Sequence, residues 1–251
     1  TSFSNYADAD RHLFGLGENN VYLNTTFRKR AASGWNWFFG AAYSFYDRRV
    51  GGAVTGGDAW SERQQELHLK VRSFRQFTPW LRLDAGGETF IRSYRDYYRF
   101  ELLYDENRMY PTICAGFLSS IFYLSEHFKT ELSFRPEYVS LNRRMNWSPR
   151  AAVSYAWNRL SISVVAGQYT QLPENKYLIK NTALPSNICR QTLFSLQYEQ
   201  SGRFYKAEFY YKNYKRLELS VPQGMVPDGY GHSKGVDLYF CDNALWKNFE
   251  Y

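Results

Sequence analysis

Histidine, cysteine and carboxylate spacing is where catalysis or metal binding would show first, and here that signal is thin. The four histidines are His12, His68, His127 and His232, and none stands at a metal-ligand spacing from a cysteine or carboxylate. Cys114, Cys189 and Cys241 are odd in number and far apart, which makes neither a disulfide framework nor a metal knuckle. No G-x-S-x-G nucleophile elbow is present. The run GGAVTGG (residues 51–57) has the glycine content of a phosphate cradle. No helix signal follows it and the Lys-Ser/Thr of a P-loop is missing, so a surface loop between Val50 and Trp60 is expected. No cofactor, metal or catalytic set is expected, and the chain is read as a non-enzyme.

The chemistry that remains is charge at every second residue. Arg82, Asp84, Glu88 and Arg92 alternate with Leu81, Leu83, Ala85, Thr89 and Ile91. Lys129, Glu131 and Arg135 alternate with Phe128, Thr130, Leu132 and Phe134, and Lys206, Glu208 and Lys212 with Tyr205, Ala207 and Phe209. Such spacing cannot converge on a helix face; it lines one side of a strand. These ten residues are the candidates for a wet, lumen-facing side, and only a few of them would touch cargo. The net charge of +7 is spread among interleaved acids, with no recognition helix, so nucleic acid is not an expected partner.

Strands are therefore the elements that must do the positioning, and they account for nearly the whole chain. The 3.6-residue period is weak throughout, and no run of about 18 apolar residues offers a membrane helix. Period-two alternation predicts strands over 20–30, 35–48, 62–74, 80–99, 112–124, 128–141, 149–157, 160–171, 191–200, 203–219 and 233–242, with a twelfth starting near Ala244–Asn248. Residues 112–124 are apolar on both faces, which leaves their orientation open. Pro136 predicts a bulge or a fraying edge. Connections are expected to be loops at Glu101–Pro111, Asn142–Ser148, Gln171–Arg190 and Val221–His232. The best-registered pair spans Pro149–Pro173. A two-residue turn at Asn158-Arg159 sets Trp157 opposite Leu160, Tyr155 opposite Ile162, Val153 opposite Val164 and Ala151 opposite Ala166. A second, at Ser201-Gly202, sets Tyr198 opposite Tyr205 and Phe194 opposite Phe209.

Two features separate a membrane barrel from a soluble sandwich. Short turns alternate with long loops, as in outer-membrane barrels. Aromatics are 19% of the chain while charged residues are 22%, which suits one greasy and one wet face. Trp35, Trp37, Trp80, Trp157 and Tyr205 lie beside short turns, where a headgroup-level girdle belongs. Charges opposite them would cost several kcal/mol each in a dry interior, so the lumen is expected to be wet or plugged, with His68 among its solvated residues and His127 and His232 in loops. The chain begins at Thr1 without Met or a signal pattern, which predicts an internal piece of a longer protein.

The ordered set Pro149-Arg150, Gly167-Gln168-Tyr169 with Leu172-Pro173, Tyr210-Tyr211-Lys212-x-Tyr214 and Gly235-Val236-Asp237-Leu238 resembles the barrel of TonB-dependent outer-membrane receptors, the Bacteroidetes kind in particular. Asp237 stands where that pattern usually has Glu. The likeness covers about residues 147–243; residues before it fit by alternation only. It implies an all-β, antiparallel up-and-down transmembrane barrel of about 22 strands, with about 11–12 present here as one partial barrel domain over 1–251. The N-terminal plug and the C-terminal barrel strands are expected to lie outside this chain. Implied partners are outer-membrane lipid, the protein's own plug, the TonB complex, and a scarce nutrient: a siderophore, cobalamin, glycan or peptide. A passive porin or substrate-selective channel is the alternative. An outer-membrane hydrolase with Ser, His and Asp scattered over strands, and a soluble β-sandwich, are further alternatives.

Overall fold

The computed structural model describes residues 2–4, 13–52, 59–100 and 103–242. Alternation in the sequence becomes one antiparallel sheet. Its strands are β1 (Ser2–Ser4), β2 (Leu13–Arg30), β3 (Asn36–Gly52), β4 (Ala59–Thr78), β5 (Leu81–Phe100), β6 (Leu103–Met109), β7 (Thr112–Tyr123), β8 (Phe128–Val139), β9 (Arg144–Trp157), β10 (Leu160–Gln171), β11 (Asn187–Gln200), β12 (Arg203–Val221) and β13 (Gly224–Asp242). Each pairs with its neighbour in chain order, except that β5 pairs with both β6 and β7. Nothing crosses over, so this is an up-and-down meander. Among the described residues a single short helix, α1 (Asn175–Leu178), lies in the β10–β11 connection. No helix among the described residues is long and apolar enough to cross a membrane.

The two hairpin registers read from the turns are those observed. Trp157 pairs with Leu160 and Ala151 with Ala166; Tyr198 pairs with Tyr205 and Phe194 with Phe209. Both turns put non-glycine residues in the left-handed region, Asn158 at φ 52° and Ser201 at φ 49°. Gly202 follows at φ 83°, so the second turn has the positive-φ pair that a twisted two-residue hairpin demands. Asparagine tolerates that conformation better than most side chains.

Four expectations are corrected. The Glu101–Pro111 stretch holds β6, which pairs along the upper half of β5 from Tyr94↔Met109 to Phe100↔Leu103. The Val221–His232 stretch is mostly strand: β13 begins at Gly224 after a two-residue turn, so His232 sits in the ladder opposite Asn213. The Asn142–Ser148 loop shrinks to residues 140–143, and β9 starts at Arg144. Pro136 causes no bulge and lies on an interior strand. The β8–β9 register runs through it unbroken, and the missing β7–β8 pairs fall opposite Gly116 and Phe117 alone. Proline has no N–H to give, but the register on either side holds it in place. Part of the glycine-rich loop, and the twelfth strand near Ala244–Asn248, lie outside the described residues.

Register settles which residues share a face. One face is apolar and exposed from strand to strand: Leu23, Tyr43, Leu67 and Ile91 are successive partners, as are Val153, Val164, Phe194, Phe209 and Val236. Leu23 is 62% exposed and Leu238 80%. An apolar belt so wide, left in water, would forgo roughly 25 cal/mol for each Å². The strand whose orientation was open, β7, now has one. Cys114, Leu118 and Phe122 pair with belt residues Thr89, Ala85 and Leu81, while Ile113, Ala115 and Phe117 lie on the opposite face. Trp37, Trp80, Trp157 and Tyr205 are exposed at the short-turn end of the belt. A second aromatic group, Trp147 stacked on Phe134 at 5.6 Å with Tyr138 close by in register, marks the other end.

The polar face is packed where side chains must cross strands. At Gly86 a Cβ would come within 2.3 Å of the Val71 carbonyl oxygen and 2.6 Å of the Phe117 ring, so the ring lies directly on this backbone. Replacing Gly86 by Val is expected to cost about 2 kcal/mol by overpacking. Ala at Gly231, which has open space around it, should change stability by no more than about 0.5 kcal/mol. Urea midpoints of the full-length parent in detergent check both.

Candidate functional site

The ten charged candidates all project from the face opposite the apolar belt, but they do not form one site. The structure sorts them into local ion pairs. At the centre is Glu88 on β5, whose carboxylate accepts from Arg135 (2.9 Å) and lies 3.2 Å from His68 Nε2 and 3.6 Å from Lys70 Nζ. Arg135 is on β8, two strands away. It reaches Glu88 because the residue between them, Ala115 on β7, is small and pairs with both Glu88 and Glu137. The same guanidinium donates to Glu137 at 2.6 Å. One arginine thus clamps two carboxylates across three strands, the planar-fork geometry that lysine lacks.

Other candidates hold neighbours. Asp84 accepts from Arg72 Nε at 2.8 Å, and Arg82 stands 3.8 Å off while lying over the Phe74 ring at 4.3 Å. Arg92 pairs with Glu66. Glu131 accepts from the Ser119 hydroxyl at 2.7 Å. Lys206 pairs with Glu208 at 2.9 Å, and Lys212 lies over the Tyr210 ring at 5.1 Å. Lys129 faces Ser154 across the β8–β9 ladder. The Lys206–Glu208 pair is separated from the Glu88–Arg135 cluster by β9, β10 and β11, so the two act independently. Glu66, His68, Lys70, Arg72 and Glu137 belong to the same networks. Their signal was the same alternation on 62–74 and 128–141. Among the described residues no group of three or more His, Cys, Asp or Glu side chains converges as a metal site would.

A second feature was missed because it looks like an ordinary loop. Residues 172–186 fold back and pack a small core in front of the polar face. Leu178 and Leu184 are essentially inaccessible and cluster with Tyr94 of β5, Met109 of β6 and Met225 of β13. Asparagines fasten it, two of its own and two from the β8–β9 turn and β9. Asn142 donates to the Leu184 carbonyl at 2.6 Å, Asn146 to the Ser186 hydroxyl at 2.9 Å, Asn181 to the Met225 carbonyl at 2.9 Å and Asn175 to Gln64 at 3.4 Å. The connection of two mid-sheet strands therefore touches strands toward both edges. The readable sign was Leu172, Leu178, Ile179 and Leu184 in a supposed solvent loop.

Above the belt, beside this cap, carboxylates crowd. Trp60 Nε1 donates to Asp96 at 2.8 Å. Burial, offset in part by that bond, and repulsion from Glu62 and Asp105 push the Asp96 carboxyl above its ordinary range. Burial, with Glu62 and Asp96 close by, pushes the Tyr94 phenol up strongly.

No protein-family model and no curated protein sequence matches the chain. Solved structures do match in shape. The siderophore receptor PirA from Acinetobacter baumannii superposes with a TM-score of 0.72 at 11% identity, over 95% of this chain and 45% of that one. The RagAB peptide transporter gives 0.70 at 12%, over 98% and 37%. The alcaligin outer membrane receptor FauA from Bordetella pertussis gives 0.69 at 13%, over 94% and 46%. The chain thus has the fold of an outer-membrane receptor's antiparallel barrel, and it spans less than half the length of these three proteins.

Two outcomes check this geometry in the full-length parent. Glu88→Ala removes the carboxylate that His68, Lys70 and Arg135 share, leaving Arg135 only Glu137, and is expected to cost about 2 kcal/mol, while Glu88→Gln, which still accepts, costs less. Asp96→Asn tests the raised carboxyl. A folded-state pKa above the unfolded one lowers stability as pH rises from the unfolded value through the folded one. The variant should therefore melt higher than the parent at neutral pH, and the difference should vanish in acid, by detergent-solubilised thermal melts.

Proposed function

We propose that this chain is a wall segment, roughly half the barrel, of a TonB-dependent outer-membrane transporter that imports a scarce nutrient. The observation that carries the reading is the pairing of a continuous exposed apolar belt with a charged inner face that a folded-in connection partly covers. A belt of that kind needs hydrocarbon against it, and a sheet in hydrocarbon must close on itself, so further strands complete the barrel. The plug and the TonB-contacting segment belong to the rest of the parent protein.

On this reading Arg82, Asp84, Glu88, Arg92, Lys129, Glu131, Arg135, Lys206, Glu208 and Lys212 line the lumen. Most hold one another or hold the wall in register, and an incoming plug or nutrient meets their unspent donors. The 172–186 cap covers part of the extracellular mouth. Structures of similar shape include a peptide importer, a copper transporter and siderophore receptors, which is why the cargo class stays at nutrient scale rather than at one compound.

The test is uptake by cells that produce the full-length parent, measured with a panel of labelled siderophores, cobalamin, oligosaccharides and peptides, with and without functional TonB. Accumulation of one class that stops when TonB is lost is expected. Replacing residues 172–186 by a Gly-Ser linker should reduce that accumulation by roughly tenfold while the barrel still folds. Uptake that persists without TonB would make the protein a passive channel instead.

A further inference from the structure

On the belt side of the sheet, above the last apolar row, the surface changes character. Asp47, Arg63, Arg95 and Arg108 are successive register partners on β3, β4, β5 and β6. The row beyond them is Arg49, Ser61, Tyr97 and Glu106. The first three columns continue down into the belt: Asp47 stands four residues beyond Tyr43, Arg63 four beyond Leu67 and Arg95 four beyond Ile91, roughly 13 Å along the strand.

Three arginines side by side on adjacent strands are an arrangement that sheets avoid, because like charges directly opposite repel. Two carboxylates restrain them. Asp47, nearly inaccessible, holds Arg49 at 2.9 Å and Arg63 at 3.0 Å, and Glu106 holds Arg95 at 2.6 Å and Arg108 at 2.7 Å. Four guanidinium groups against two carboxylates leave two positive charges in excess. Each guanidinium has five N–H donors, and one shared carboxylate does not occupy them. The arginine side chains stay 42% to 65% exposed. Asp47, Arg49, Ser61, Arg63, Arg95 and Tyr97 surround a groove of about 260 Å³.

We propose that this row binds the phosphate groups of a phosphorylated glycolipid of the outer leaflet, whose acyl chains lie on the belt below. Arginine forks fit phosphate oxygens bidentately, which would relieve the opposed charges of the row. The height argues for a lipid rather than a soluble anion, since the groove opens on the membrane side of the wall and its columns run straight into Tyr43, Leu67 and Ile91. The inference rests on the outer-membrane reading above and adds to it a named lipid chemistry.

The test uses the full-length parent in detergent, with bisphosphorylated lipid A, the same lipid dephosphorylated, and inorganic phosphate as probes. Wild type should prefer the phosphorylated lipid, and an equal concentration of inorganic phosphate should not displace it. Arg63→Gln with Arg95→Gln should weaken that binding by roughly tenfold or more, while Arg159→Gln in the short turn at the opposite end leaves it unchanged. Heat-modifiable migration confirms that each variant folds; should the double variant not fold, Arg108→Gln alone should give roughly a threefold loss. Wild type that ignores phosphorylation, a folded arginine variant that binds as wild type, or displacement by inorganic phosphate would each overturn the inference. TonB-dependent uptake is read in parallel. Uptake with no phosphate preference sinks this inference alone, and phosphate preference without TonB dependence sinks the transporter reading alone.

Discussion

Every backbone N–H and C=O of a strand must meet a partner on the next strand, and in hydrocarbon there is no water to stand in for a missing one. That constraint organises this chain. It sets strands of 12 to 20 residues through most of the wall, an uninterrupted neighbour-to-neighbour order, and a register that persists even past Pro136. Once register holds, the period of two does the rest. Each residue has its face decided by its number, and a slip by one would carry Glu88 into the belt and Thr89 onto the charged face.

The inner charges follow from the same logic. A charged side chain on the belt face would meet acyl chains, so the charge collects on the other side and neutralises locally. Glu88 with Arg135, Asp84 with Arg72, and Glu66 with Arg92 tie strands together from the side that the backbone ladder does not brace. The clamp from Arg135 to both Glu88 and Glu137 depends on Ala115 being small. Bracing of the sheet and the chemistry of its polar face therefore share the same residues. The cap at residues 172–186 has less of the former duty. It is pinned by asparagine amides and a handful of buried aliphatic side chains.

What could be read from the sequence ends where the belt ends. The hairpins at Asn158-Arg159 and Ser201-Gly202 were legible to the residue, because apolar alternation on both arms left one register open. The orientation of residues 112–124 was not, since Ile113 and Phe117 pack under neighbours on the inner face and mimic belt residues. β6 and the first half of β13 went unseen for a different reason. LYDENRM and GMVPDGYGH lie beyond the belt, where one face meets water and the other buries only Met109 and Met225 under the cap, too little to enforce alternation. Their strand state is imposed by the partner strand, β5 or β12, and leaves little mark in composition. The cap was hidden because polar side chains do its fastening, and asparagine reads as loop whether it bonds to water or to a carbonyl.

The claim on which all of this stands is that alternate residues of β9 and β10 face lipid and lumen. It is tested most directly by placing a nitroxide at each position from Ala151 to Ala166 in the full-length parent, one at a time, in liposomes. Accessibility to oxygen and to a water-soluble nickel chelate is then compared. Oxygen should peak at Val153, Tyr155, Ile162 and Val164, and the chelate at Ser154, Ser161 and Ser163, with a period of two throughout. A flat profile, or chelate access at Val153 and Val164 equal to that at the serines, would contradict the account.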